Sequence, residues 1–232
     1  MKAIVAGATG TLGLRILKRL VQDADVTSIV TLTRRRLEPG GESAKVTQVD
    51  IEDFLQANDA TDRLIGDADV CYWCVSLTMD PSEMKRVVDV VTIGGIRRLL
   101  DARTVGRPLR LVMLSGHHVI HAQDTAPKDV PNRDFLILRG QADVFALETA
   151  QKQPALLETY VAKIGGVERP ERPLSDEARQ RMAQFKVPLI HVDDLTSALV
   201  FVGNGGRHIA GQPATVLSND DLLACGRQAS SV

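Results

Sequence analysis

Short β-branched, apolar runs alternate along the chain with stretches in which apolar residues recur every three or four positions. Ala3–Ala6, Ser28–Thr33, Val46–Val49, Asp69–Val75, Leu109–Ser115 and Thr159–Ile164 read as strands. Most are continuous apolar runs, the pattern of strands covered on both faces of a parallel sheet. Between them, Thr11–Gln22, a shorter segment near Asp53–Ile65, Ser82–Arg103 and Phe135–Gln151 read as helices. This β-α-β-α order predicts an α/β fold built on a doubly wound parallel sheet. Pro81-Ser82-Glu83 supplies a helix start with an acidic first turn, and Gly106 and Pro108 separate that helix from the next strand. After Gly165 the pattern changes: residues 167–175 hold Pro170, Pro173 and several charges, then Asp176–Phe185 reads as a polar helix and Asp194–Val202 as a more apolar one. The expectation is one domain over residues 1–232, with a core over 1–165 and an extension over 166–232 that packs at the open end of the sheet and walls the substrate side.

Composition narrows the function classes. The chain has 232 residues, 44% hydrophobic and 25% charged, with 28 basic and 29 acidic side chains. Such near-balance gives no general electrostatic reason to bind nucleic acid or an anionic membrane, so neither is expected as a partner and a small molecule is. No apolar run reaches the roughly 18 residues of a membrane span, and Met1-Lys2 leads straight into the first strand without a signal-peptide core. A cytoplasmic location is expected. Three cysteines fit a reducing compartment better than a disulfide framework. Cys71-Tyr72-Trp73-Cys74 has C-x-x-C spacing, but within a strand positions i and i+3 face opposite ways, so core packing is the better reading and no metal site is expected.

The strongest chemical signal follows the first strand: Gly7-Ala8-Thr9-Gly10-Thr11-Leu12-Gly13, entering an amphipathic helix. In this G-x-x-G-x-x-G spacing Gly7 permits the tight turn, Gly10 lets a pyrophosphate approach the backbone and Gly13 lets helix and strand pack closely. Gly7, Thr9, Gly10, Thr11, Leu12 and Gly13 are the candidate residues for a dinucleotide diphosphate at a helix N-terminus, which makes the sheet a Rossmann-type one. About 20 residues beyond the last glycine, where an NAD enzyme usually carries Asp or Glu, stand Arg34-Arg35-Arg36. Arg34 suits a 2′-phosphate and Arg35 can stack on adenine, so NADP(H) is the expected cofactor. A solvated basic loop balanced by Glu38 and Glu42 is the plainer alternative. Asp50-Ile51 ends the third strand, where Asp50 can accept from the adenine amino group or cap the following helix. Cys74-Val75-Ser76 ends the fourth, at the expected nicotinamide-ribose edge.

With these residues the chain resembles the short-chain dehydrogenase/reductase superfamily, in its atypical NmrA-like and Tat-interacting-protein-like branches. The resemblance rests on Gly7–Gly13, Thr31-Leu32-Thr33-Arg34-Arg35, Val49-Asp50, the Leu111–Ser115 strand that usually leads to a catalytic serine, and Ile190-His191-Val192-Asp193-Asp194-Leu195. It implies a Tyr-x-x-x-Lys signature on the next helix, often Tyr-Leu-x-x-Lys-Gly-x-x-Glu in these branches. Here the frame reads Phe135-Leu136-Ile137-Leu138-Arg139-Gly140-Gln141-Ala142-Asp143. The tyrosine of such enzymes supplies a proton to the carbonyl, and Phe135 has none. Arg139 can hold a ribose hydroxyl and contribute positive charge, but a guanidinium does not exchange protons usefully at neutral pH.

Ser115, His117 and Arg139 are therefore the candidate catalytic residues, with Ser115 or His117 facing the nicotinamide according to register. The alternative for His117 and His118 is an ordinary surface loop. Asp193 or Asp194 reads as a helix N-cap. The leading expectation is an NADP(H)-dependent oxidoreductase acting on a small organic molecule; a dinucleotide-sensing binding protein and a redox-neutral isomerase or cyclase are the competitors. The long Ser82–Arg103 helix offers a homodimer surface.

Overall fold

Strands β1 (Lys2–Ala6), β2 (Ser28–Thr33), β3 (Val46–Asp50), β4 (Val70–Trp73), β5 (Leu109–Gly116), β6 (Leu157–Ile164) and β9 (Ala214–Leu217) form one sheet in the order β3-β2-β1-β4-β5-β6-β9, every pair parallel. The structure is a computed structural model that describes residues 1–37, 43–51, 58–75, 80–121, 132–205 and 214–229. The chain winds outward from β1 to β3, then crosses back to β4 on the other side of β1. That reversal opens a crevice at the carboxyl ends of β1 and β4, the place where doubly wound sheets take ligands. Among the described residues no helix is long and apolar enough to cross a membrane.

Alternation along the strands builds two apolar layers. Ala3 and Val5 enter one, with Ile16, Leu17 and Leu20 of α1 (Thr11–Gln22), Leu195 and Leu199 of α7 (Val192–Gly203) and Leu222 of α8 (Asn219–Ala229). Ile4 and Ala6 enter the other, with Ile65 of α2 (Asp59–Ile65), Met84 of α3 (Pro81–Arg86), Leu99 of α4 (Gly94–Asp101) and Ala142, Ala146 and Ala150 of α5 (Arg133–Lys152). Covering both faces is why these strands read as unbroken apolar runs. Cys71 lies in the second layer and Cys74 in the first, both free.

Three local readings need correction. The helix expected as one piece over Ser82–Arg103 is interrupted: α3 and α4 are joined by a π-helical stretch, Val87–Ile93. Its six β-branched side chains crowd a regular α-helix, and the wider turn lets Val88 and Thr92 both reach the core. The helix near Asp53–Ile65 is α2, capped by the Asn58 side chain, which accepts from the amides of Ala60 and Thr61 at 3.1 Å, so Asp50 does not cap it; residues 52–57 lie outside the described ones. Helix α7 begins two residues before Asp194, and its cap is His191, whose Nδ1 accepts from the Asp193 amide at 3.3 Å. Beyond Gly165, β7 (Gly166–Glu168) and β8 (Leu189–His191) pair as a separate parallel ribbon, α6 (Asp176–Gln184) lies between them in sequence, and β9 joins the main sheet beside β6.

Candidate functional site

The turn after β1 is set by backbone contacts that only glycine satisfies. Gly7 has φ +81°, and a Cβ there would lie 2.6 Å from the Cys74 carbonyl oxygen. A Cβ on Gly13 would lie 2.3 Å from the Gly7 carbonyl oxygen, so α1 rests directly on the turn. Gly10 is the N-cap residue of α1 and contributes no side-chain acceptor, and no acidic residue occupies the first turn. The leading amides and the positive end of the helix dipole are thus left to an anion.

Beside this turn lies a hollow lined by Gly7, Thr9, Gly10, Leu32, Thr33, Arg34, Arg35, Ile51, Cys74, Val75 and Val91. Arg34 and Arg35 are exposed at its rim, and no ion pair of their guanidinium groups occurs among the described residues. Glu38 and Glu42, the expected balancing charges, lie outside those residues. Asp50 is exposed and accepts from the Gln48 amide at 2.5 Å; it does not line the hollow, whereas the next residue, Ile51, does.

A second hollow continues along the strand ends from Cys74 and Val75, which line both. Its other walls are Thr11, Leu12, Leu114, Ser115, Arg139, Ile164 and Gly165. Ser76 lies outside the described residues. Ser115, near the end of β5, is 6% exposed and donates to Asp143 Oδ2 at 2.5 Å. Asp143, on α5 and 4% exposed, also meets His121 Nε2 through the same Oδ2 at 2.8 Å.

Arg139, one helical turn before Asp143, reaches the hollow over Gly116, where a Cβ would stand 3.5 Å from its Nη1. Among the described residues its buried Nε has no hydrogen-bond partner. Burial pushes the guanidinium below its usual value, and the Asp143 charge opposes that shift. Lys163, opposite Ser115 on β6, donates to the Val119 carbonyl; burial pulls its pKa down, again against Asp143. Phe135 lies elsewhere, in a hollow at the start of α5 with Asn132, Arg133, Asp134 and Leu138.

His117 is not among the residues lining either of the two contiguous hollows. Its amide donates to the Ile164 carbonyl at 2.8 Å and its ring meets His118 edge-on at 4.8 Å. Burial, then the neighbouring charges of His118 and Lys163, lower its pKa. From the C-terminal side, Arg169 Nη1 approaches Thr11 Oγ1 at 3.5 Å, and Arg15 on α1 holds both oxygens of Glu171 at 2.7 and 2.8 Å.

Sequence reasoning gave Asp143, His121 and Lys163 no role in the site. Asp143 follows Arg139 by one helical turn, a spacing that places both on one helix face. The other two are brought in by strand register and by the loop after β5.

The fold is shared with proteins of known structure, some of them solved with NAD bound. The chain is similar to MoeE5, solved in complex with UDP-glucuronic acid and NAD (19% identity, TM-score 0.66, covering 94% of this chain and 76% of that one). It is similar also to uronate dehydrogenase from Agrobacterium tumefaciens (22% identity, TM-score 0.65, 94% and 75% covered). A third is the UDP-glucuronic acid 4-epimerase from Bacillus cereus in complex with NAD (14% identity, TM-score 0.66, 94% and 78% covered). No family model and no curated sequence matches the chain. At these identities the likeness establishes the Rossmann-type fold.

Proposed function

We propose that this protein is an NADP(H)-dependent oxidoreductase of atypical short-chain dehydrogenase/reductase type, acting on a small organic molecule. The observation that carries the reading is the pairing of the glycine turn with Arg34 and Arg35 on one hollow. The turn fits a diphosphate, because Cβ atoms at Gly7 and Gly13 would close it. Gly7, Gly10, Thr11, Leu12 and Gly13 would hold the diphosphate, Arg34 a 2′-phosphate, Arg35 and Ile51 the adenine, and Cys74, Val75 and Arg139 the nicotinamide ribose. The bound dinucleotide supplies hydride chemistry. The chain's own part is to orient the substrate at Ser115 and Arg139, to shield it from water and to move a proton at Ser115 Oγ.

Arg139, whose Nε has no partner among the described residues, suits a substrate bearing a carboxylate or another anionic group. Uronates and UDP-sugars are the first probes, since similar folds act on them. Calorimetric titration tests the cofactor assignment. NADPH binds more tightly than NADH, and Arg34→Ala weakens NADPH about tenfold or more while leaving NADH nearly unchanged, as expected for loss of a charge-assisted contact. Equal weakening of both nucleotides, or no binding, refutes it. Phe135 in place of a proton donor favours a second reading, a dinucleotide-sensing protein. That reading requires NADPH binding without any transfer of deuterium from deuterated substrate probes.

A further inference from the structure

Asp143 is a buried carboxylate that collects a hydroxyl, an imidazole and the charges of two flanking cations. Ser115 Oγ and His121 Nε2 both meet its Oδ2, at 2.5 and 2.8 Å. Arg139 from α5 and Lys163 from β6 add positive charge nearby. The arrangement is enforced by Gly140: a Cβ there would lie 1.9 Å from the Ile120 carbonyl oxygen, so only glycine lets α5 press against the segment before His121. The Ile120 amide donates to the Leu136 carbonyl at 3.3 Å and ties the same contact.

A serine hydroxyl has one proton, and here Asp143 takes it. Ser115 lines the second hollow, so its free lone pairs serve as acceptors there. We propose that Asp143 is the base of this pocket, acting through Ser115, and that His121 is the positioning residue that holds its carboxylate in line. This rests on the oxidoreductase reading above. Oxidation of an alcohol sends a hydride from carbon to the nicotinamide and a proton from oxygen to the protein. The substrate O–H breaks as a new O–H forms on Ser115; the former Ser115 proton forms an O–H on Asp143 Oδ2. A carboxylate suffices, because the departing hydride turns the alcohol into a strongly acidic protonated carbonyl. Reduction runs the same steps backward from protonated Asp143. The missing phenol at position 135 is thereby replaced from a different place on the same helix.

Two measurements decide this, with urea midpoints of each variant establishing that it folds. In proton NMR of the nucleotide-free protein, the His121 Nε2 proton gives a downfield hydrogen-bonded signal that vanishes in Asp143→Asn and moves in Ser115→Ala. A signal unchanged by Ser115→Ala overturns the linked cluster. In oxidation of D-glucuronate with NADP⁺, Asp143→Asn and Ser115→Ala each lower kcat roughly 100-fold with NADP⁺ affinity retained, while His121→Gln lowers kcat with KM nearly unchanged. Wild-type kcat in Asp143→Asn overturns the base assignment, and so does a wild-type protein that binds NADP⁺ but does not oxidise the probe. Loss of nucleotide binding with an intact NMR signature instead overturns the oxidoreductase reading.

Discussion

His117 shows how one side chain's surroundings set a pH response. Burial, His118 and Lys163 all disfavour its charged form, so its folded pKa lies below that of the unfolded chain. As pH falls through the unfolded value of about 6.5, the unfolded chain takes up a proton that the folded protein refuses. Stability therefore declines over the window from that value down to the folded pKa, and the deficit is constant below it. In His117→Gln this part of the decline disappears. Urea midpoints between pH 7.5 and pH 5 measure it: the wild-type midpoint drops more steeply than the variant's. Parallel curves would mean that the His117 ring titrates alike in both states. The nearby Ser115, two residues earlier at the end of β5, is governed differently, because its single proton is already committed to Asp143.

At the scale of elements, the turn between β1 and α1 is the least forgiving part of the fold. Gly13→Val places a branched side chain where one Cβ already stands 2.3 Å from backbone oxygen and 2.9 Å from its carbonyl carbon. Backbone cannot yield as a flexible side chain does, so α1 must lift from β1 and uncover Ile16, Leu17 and Leu20. The expected loss is about 3 kcal/mol or more, read as a urea-midpoint shift, with NADPH binding abolished in whatever remains folded. Gly10→Ala, whose Cβ would stand 3.3 Å from the Gly7 oxygen, is the milder change. This turn was legible in the sequence because its constraint is local: three glycines between a buried strand and an amphipathic helix say nearly everything. Strands β1, β2, β4, β5 and β6 were legible for a similar reason, burial on two faces making their apolar runs nearly continuous, and α1 by its single buried stripe of Ile16, Leu17 and Leu20. By contrast, β7 and β8 have three residues each, too few for a period to register. The cluster at Asp143 was hidden for another reason. His121 is joined to it only because Gly140 admits the Ile120 backbone, a contact across the chain that neither segment announces alone. Likewise the cap of α7 falls to a histidine ring, a rarer acceptor than the aspartates that follow it.

For the whole molecule, the decisive fact is that the two apolar layers share every central strand. Tyr72 and Trp73 are adjacent on β4, the first packed into the layer under α1 and α7, the second into the layer under α4 and α5. Neither layer can melt without removing the support of the strands that carry the other. The C-terminal residues belong to the same unit, since Leu217, Leu222 and Cys225 complete the first layer with Val5 and Leu17. Cooperative unfolding of residues 1–232 as one domain is therefore expected, despite a length beyond that of most two-state proteins. The three cysteines make a built-in test: Cys71 reports one layer, and Cys74 and Cys225 the other. All are buried, and burial raises each thiol's pKa, most strongly at Cys71 and Cys74, which keeps them inert in the folded protein. In a urea series with brief thiol labelling and mass spectrometry of each peptide, the three sites become reactive at one midpoint, which coincides with that of Trp73 fluorescence. Earlier labelling of Cys225 alone would mean that α8 detaches first and that the C-terminal segment is a separate folding unit. Labelling of Cys71 apart from Cys74 would require the layers to part across a strand only four residues long, which the shared backbone of β4 forbids.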